Sequence, residues 1–167
     1  WKIMYAIWLT FSQNDKKYLR KIITNIAKKY HAPEFEPHVT IYGLIDIEIN
    51  LIKKILKKIA RNNKSFITRK TKILQSNNLW KTIYIELENQ KEFTKIYQNL
   101  KKCFEQIEKN EFNPHISLVY KILSTTEKTQ IINQLDIKKE FTIEQIVILK
   151  FFPEIEKWEI IEKYDLQ

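Results

Sequence analysis

A single glycine, Gly43, occurs in 167 residues. A phosphate-cradling P-loop or a dinucleotide-binding turn needs two or three glycines at fixed spacing, so nucleotide handling through either device is excluded. The lone cysteine, Cys103, rules out an internal disulfide and fits a reducing compartment. It falls within an apolar helical stripe, which predicts a place in or near the core. Long hydrophobic runs are also missing. The stretch from Ile3 to Phe11 is too short to span a bilayer and lacks the basic leader and small-residue cleavage site of a secretory signal, so a cytoplasmic location is expected. Trp rather than Met stands at position 1, which leaves the native start open. No Pro/Gly/Ser-rich linker divides the chain, and a single two-lobed domain spanning 1–167 is expected, as a monomer.

What is present is basic and ordinarily apolar. The hydrophobic content of 44% suits a globular core, and the net charge of +9 favours polyanions, among which phosphate-bearing ligands are the commonest inside cells. The lysine pairs at 28–29, 53–54, 57–58 and 101–102 also fit plain solvated helix faces.

The most informative feature is a repetition. Glu36-Pro37-His38-Val39-Thr40-Ile41-Tyr42 and Asn113-Pro114-His115-Ile116-Ser117-Leu118-Val119 share the pattern proline, histidine, apolar, hydroxyl, apolar. In an extended strand successive side chains alternate, so each histidine and the hydroxyl two residues on share one face, while Val39, Ile41, Ile116 and Leu118 point to a core. Each proline biases its predecessor toward extended geometry and is tolerated at a strand start.

The surroundings repeat as well. Strand 2–10, helix 15–30, the first histidine strand, a helix 51–60 capped by Asn50 and strand 65–75 are followed by strand 81–87, helix 91–108, the second histidine strand, a short helix to Leu135 and strands 141–150 and 157–164. Ser124 with Glu127 forms a capping box. The internal repeat runs 1–76 and 77–167, which would relate the motifs by a pseudo-twofold axis.

Two imidazoles and two hydroxyls in one cleft suit metal-free phosphodiester cleavage, one imidazole accepting a proton and the other giving one. Zinc is the rival for paired histidines, but it wants three or four ligands at recognisable spacing, and neither motif holds a second histidine, cysteine or acid. A serine-type triad needs an orienting acid and a nucleophile on a strained turn, whereas Thr40 and Ser117 sit mid-strand. His31 follows a lysine-rich helix end, has no repeat partner and is assigned no role beyond terminal carbonyls.

The paired His38-Val39-Thr40 and His115-Ile116-Ser117 resemble the signature of the two-histidine (2H) phosphoesterase superfamily. The wider strings 35–40 and 112–120, with Trp8 and the late Lys157-Trp158, are most similar to the cyclic phosphodiesterases of plants and fungi. That resemblance implies an α+β fold of two pseudo-symmetric lobes, each an antiparallel sheet with helices outside, enclosing a central cleft. It implies hydrolysis of nucleoside 2′,3′-cyclic phosphates or ADP-ribose 1″,2″-cyclic phosphate without a cofactor. By the same resemblance His38, Thr40, His115 and Ser117 are catalytic, and the product is a 2′-phosphate. Tyr120 matches a position that lies against the nucleotide base, with core packing an equal alternative; Trp8 and Tyr42 are further stacking candidates, core packing being favoured for both. His115 is favoured as base over His38. A larger substrate, RNA ends, 2′-5′ linkages or cyclic oligonucleotide signals, is the alternative within the superfamily; a non-catalytic nucleotide-binding module is the alternative outside it.

Overall fold

The structure is a computed structural model and describes residues 2–104 and 112–167. Seven strands and four helices follow one another as β1 (Met4–Phe11), α1 (Gln13–Tyr30), β2 (Val39–Ile45), α2 (Ile49–Asn62), β3 (Phe66–Gln75), β4 (Ile83–Leu87), α3 (Lys91–Phe104), β5 (His115–Val119), α4 (Thr125–Gln134), β6 (Glu140–Phe151) and β7 (Glu159–Asp165). The fold is α+β with an antiparallel sheet, as expected. The helix expected over 91–108 is described as far as Phe104; its remainder, with Ile107, lies outside the described residues.

Strand order is β2-β1-β6-β3-β4-β5, with β7 beside β6. Exchanging β1 with β4, β2 with β5 and β3 with β6 turns this order into its own reverse, so a pseudo-twofold relates the halves between β6 and β3. The closing strands are swapped: β6, from the second half, pairs with β1, and β3, from the first, pairs with β4. β3 joins both ends of the sheet, its first residues pairing with β6 and its last with β4. Strands β2 and β5, outermost in the order, nevertheless approach each other, so the sheet curls. That curl brings two motifs distant in sequence together.

Side-chain alternation divides the sheet into two faces. Ile7, Leu9, Ile146 and Ile148 join Leu19, Leu56 and Leu100 from the helices in the main core. Ala6, Trp8, Val147 and Leu149 gather with Trp158 and Ile160 in a second cluster. The cleft opens on this second face.

Several local expectations are corrected. Asn50 is not the cap of α2; the Glu48 carboxylate accepts from the amides of Asn50 and Leu51, starting the helix earlier. Leu79–Lys81 and Ile155–Lys157 form short 3₁₀ turns, which delays the strands expected to begin at 81 and 157. His31 caps α1 through its backbone in the left-handed region, φ 54°. Cys103 is exposed, because the buried stripe of α3 runs through Phe93, Ile96, Leu100 and Phe104 and leaves position 103 at its border.

Asp15, at the start of α1, is nearly buried and ties the helix to the sheet: its carboxylate accepts from the Thr142 amide at 2.6 Å and pairs with Lys138. Hydrogen bonds to charged groups contribute about 1.5–3 kcal/mol. Asp15→Ala should therefore lower unfolding stability by about 2–3 kcal/mol in urea titration; a loss under about 0.5 kcal/mol contradicts this anchoring role.

Candidate active site

Each histidine is held by the same local device. His38 Nδ1 lies 2.7 Å from the Glu36 carbonyl and His115 Nδ1 lies 2.9 Å from the Asn113 carbonyl, in both cases the residue two positions upstream. A carbonyl only accepts, so the proton is on Nδ1 and Nε2 is the nitrogen available to the cleft. The intervening prolines, Pro37 and Pro114, confine the chain that sets these carbonyls. Arg20 on α1 grips both carboxylate oxygens of Glu36 and steadies the first of them.

Both histidines line one cleft of about 350 Å³, together with Thr40, Trp8 and Tyr120. Of the residues singled out from sequence, two do not line it: Ser117 is buried beside it, and Tyr42 is turned away, 1% exposed and packed near Tyr97 and Phe104. For Tyr42 the cause is a β-bulge. Trp8 pairs with Thr40 and Ile7 with Tyr42, so Ile41 is the extra residue and the alternation shifts by one beyond it. An equivalent bulge lies in the second motif, where Tyr84 pairs with Ser117 and Ile83 with Val119, leaving Leu118 as the extra residue. Past each bulge it is therefore the fifth residue after the histidine that faces the cleft. In one half that residue is Gly43, in the other Tyr120. The pseudo-symmetric site is blocked by a phenol on one side and open on the other.

The two imidazoles differ in surroundings. His38 stacks on the Trp8 indole at 3.6 Å with 8° between planes, and the Tyr120 hydroxyl lies 3.3 Å from its Nε2. Burial pushes its pKa down to about 3, against a raising effect of the Glu36 carbonyl and a further lowering by His115. Burial likewise raises the Tyr120 phenol far above its ordinary value, despite Ser117, so it remains a donor to His38. His115 sits edge-on to Tyr84 at 5.5 Å, and burial, then the Lys81 ammonium, hold its pKa below the usual value against the Asn113 carbonyl. The Ser117 hydroxyl donates to the Trp80 carbonyl at 2.8 Å and so anchors the 3₁₀ turn beside the cleft.

That turn carries residues the sequence did not single out. Lys81 is the one lysine or arginine lining the cleft among the described residues, and Trp80 faces Trp158 at 6.0 Å and 18°. Trp80 is 39% exposed, which leaves an aromatic face open to a ligand. A lysine next to a tryptophan just before a strand carries no pattern that would mark it in sequence.

The model of the cyclic phosphodiesterase-like protein family matches residues 4–166. The chain belongs to that family. A cyclic phosphodiesterase of Arabidopsis thaliana is 20% identical over 127 residues, covering 76% of this chain and 70% of that protein. Among solved structures, the TT0787 protein of Thermus thermophilus superposes with a TM-score of 0.68 at 13% identity, covering 98% of this chain and 97% of that one. Escherichia coli LigT complexed with 3′-AMP gives 0.66 at 11% identity, covering 99% and 98%. The protein is thus a cyclic phosphodiesterase family enzyme with the 2H phosphoesterase fold. No helix among the described residues is long and apolar enough to cross a membrane.

The neutral burial of His38 links the site to stability. Its folded pKa lies below the unfolded value of about 6.5, so the folded state binds fewer protons and stability is complete above that value and lost as pH falls toward 3. Wild-type Tm should fall on acidification from about pH 7 to about pH 4, and His38→Gln should flatten that fall. Parallel Tm curves for the two proteins would contradict neutral burial.

Proposed function

We propose that this cleft hydrolyses the cyclic phosphodiester of a nucleoside 2′,3′-cyclic phosphate or of ADP-ribose 1″,2″-cyclic phosphate, with His115 as base and His38 as acid. The observation that carries this reading is the matched pair of Nδ1 locks, which leaves two Nε2 atoms for one cleft. His115 Nε2 takes a proton from water as its oxygen attacks phosphorus. The opposite P–O bond breaks, His38 protonates the departing ribose oxygen, and a phosphomonoester remains; for a nucleoside 2′,3′-cyclic phosphate the 3′-oxygen leaves and the 2′-phosphate is the product.

The asymmetry of the two rings supports this division. Lys81 disfavours protonation of His115, as a base requires. His38 is neutral in the free protein, but an anionic phosphodiester beside it favours the imidazolium, and the Trp8 face accommodates the cation. The substrate oxygen then takes the place of the Tyr120 hydroxyl at Nε2. Thr40 and Lys81 stabilise the non-bridging oxygens, joined by Ser117 when its O–H turns from the Trp80 carbonyl. The nucleoside lies over Gly43, where the cleft is open. A second reading, turnover of RNA ends, 2′-5′ linkages or cyclic oligonucleotides, is favoured by the Trp80 and Trp158 faces, which offer stacking area for a further base.

Incubation with 2′,3′-cyclic AMP, ADP-ribose cyclic phosphate, short RNAs and cyclic dinucleotides in EDTA tests the reading, which expects turnover of the first two. Turnover of the cyclic dinucleotides alone would overturn it in favour of the second. His38→Ala and His115→Ala should each lower kcat/KM by about 10²–10⁴. With an aryl leaving group of low pKa, His38→Ala should recover most of its rate and His115→Ala should not; the reverse pattern reverses the roles. Lys81→Met should lower kcat and move the acidic limb of the pH profile upward, since the ammonium no longer depresses His115. Gly43→Leu should raise KM without displacing either histidine.

A further inference from the structure

The net positive charge of this protein sits largely on its helices, and α1 alone carries +5, with Lys16, Lys17, Arg20, Lys21, Lys28 and Lys29 against Asp15. Helix α2 holds Lys53, Lys54, Lys57, Lys58 and Arg61 and no acid, and α3 holds Lys91, Lys95, Lys101 and Lys102 with Glu92 as its single acid. Together these two helices carry a net charge of +8 on adjoining surfaces. Among the described residues, the ion pairs involve none of these nine cations. Such a concentration is electrostatically unfavourable for the protein by itself.

Helices α2 and α3 pack side by side, and the Lys95 ammonium donates to the Asn62 carbonyl at 2.9 Å across their ends. Between them runs a groove of about 630 Å³, whose lining includes Lys54, Lys58, Lys102, Asn62, Asn99 and Cys103. Lys54 and Lys58 form one row along α2, and Lys53, Lys57 and Arg61 a second, each at four-residue spacing with about 5–6 Å between Cβ atoms. The groove lies on the helical side of the sheet, because Ile52 and Leu56 pack into the main core while the cleft opens on the other face. The aromatic side chains of α3 are buried, so it offers no stacking platform. The groove is also lined by Leu51, Ile55 and Ile59, but its polar groups are ammonium and amide donors, which suit phosphates rather than stacked bases.

We propose that the α2–α3 groove is an exosite for the phosphate backbone of an RNA strand, bound without sequence preference and separate from the cleft. Charge complementarity supplies the affinity, and the two asparagine amides add donors for phosphate or ribose oxygens. The choice of RNA over other polyanions rests on the phosphodiester reading of the cleft, since a 2′,3′-cyclic phosphate arises only on a chain with a 2′-hydroxyl. An enzyme so equipped stays beside the RNA whose breakdown supplies nucleoside 2′,3′-cyclic phosphates.

The single thiol of the chain provides the readout, since Cys103 lines the groove and is exposed. The full chain is titrated with a 12-nucleotide oligouridylate ending in a 3′-hydroxyl, in EDTA, following both binding across a salt series and the rate of maleimide attack on Cys103. The proposal expects salt-dependent binding and at least fivefold slower alkylation at saturation. The triple variant Lys54→Glu, Lys58→Glu, Lys102→Glu should bind at least tenfold more weakly and lose about 2 from the log–log salt slope, at about 0.7 per phosphate contact on a single strand. Its turnover of 2′,3′-cyclic AMP should match wild type, which separates failure of the exosite from failure of the catalytic reading. The proposal is overturned if RNA leaves Cys103 alkylation unchanged, if the triple variant binds RNA as wild type does, or if phosphatidylserine vesicles protect Cys103 where RNA does not.

Discussion

The structure around the cleft depends on one short interaction made twice, the bond from a histidine Nδ1 to the carbonyl two residues upstream. It fixes the tautomer, turns Nε2 into the cleft, and requires no second side chain to orient the ring. A serine-type triad assigns this task to a carboxylate, whose charge would hold the imidazole toward its protonated form. A neutral carbonyl orients without that bias. Burial can then keep both rings neutral until an anion arrives, which suits a site whose substrate is itself charged.

The second constraint is topological. The histidine strands are outermost in the strand order, and they meet because the sheet curls around a pseudo-twofold between β6 and β3. Exchange of β3 and β6 ties each half of the chain to the other's backbone. The geometry of the cleft is thereby a property of the whole sheet. Paired β-bulges three residues after each histidine then determine what else reaches the cleft, and the difference between Gly43 and Tyr120 at equivalent places breaks the symmetry.

Much of this was legible in the sequence because it rests on local periodicity. The order of strands and helices, the capping box at Ser124, and the burial of Val39, Ile41, Ile116 and Leu118 follow from alternation and helical spacing. What escaped depends on non-local pairing. Strict alternation puts Tyr42 beside Thr40 in the cleft, yet one extra residue opposite Ile7 sends it to the core. The same effect turns Tyr120 inward, a placement that only resemblance had suggested. Lys81 and Trp80 reach the site from a 3₁₀ turn whose position is set by Ser117 on another strand. The strand exchange leaves no trace in a pattern that repeats equally well with or without it. Lysine pairs on helices were readable singly, but that Lys54, Lys58 and Lys102 line one groove emerges only when α2 and α3 are seen to pack.

The central claim is that two locked imidazoles present Nε2 to the same phosphorus. Nitrogen-15 NMR of the histidine rings, recorded without and with a bound 2′-nucleotide, addresses it most directly. The account predicts that His38 and His115 are both in the Nδ1–H tautomer in the free protein and that both Nε2 resonances shift when the nucleotide binds. An Nε2–H tautomer at either ring, or a nucleotide that moves only one of the two signals, would contradict it.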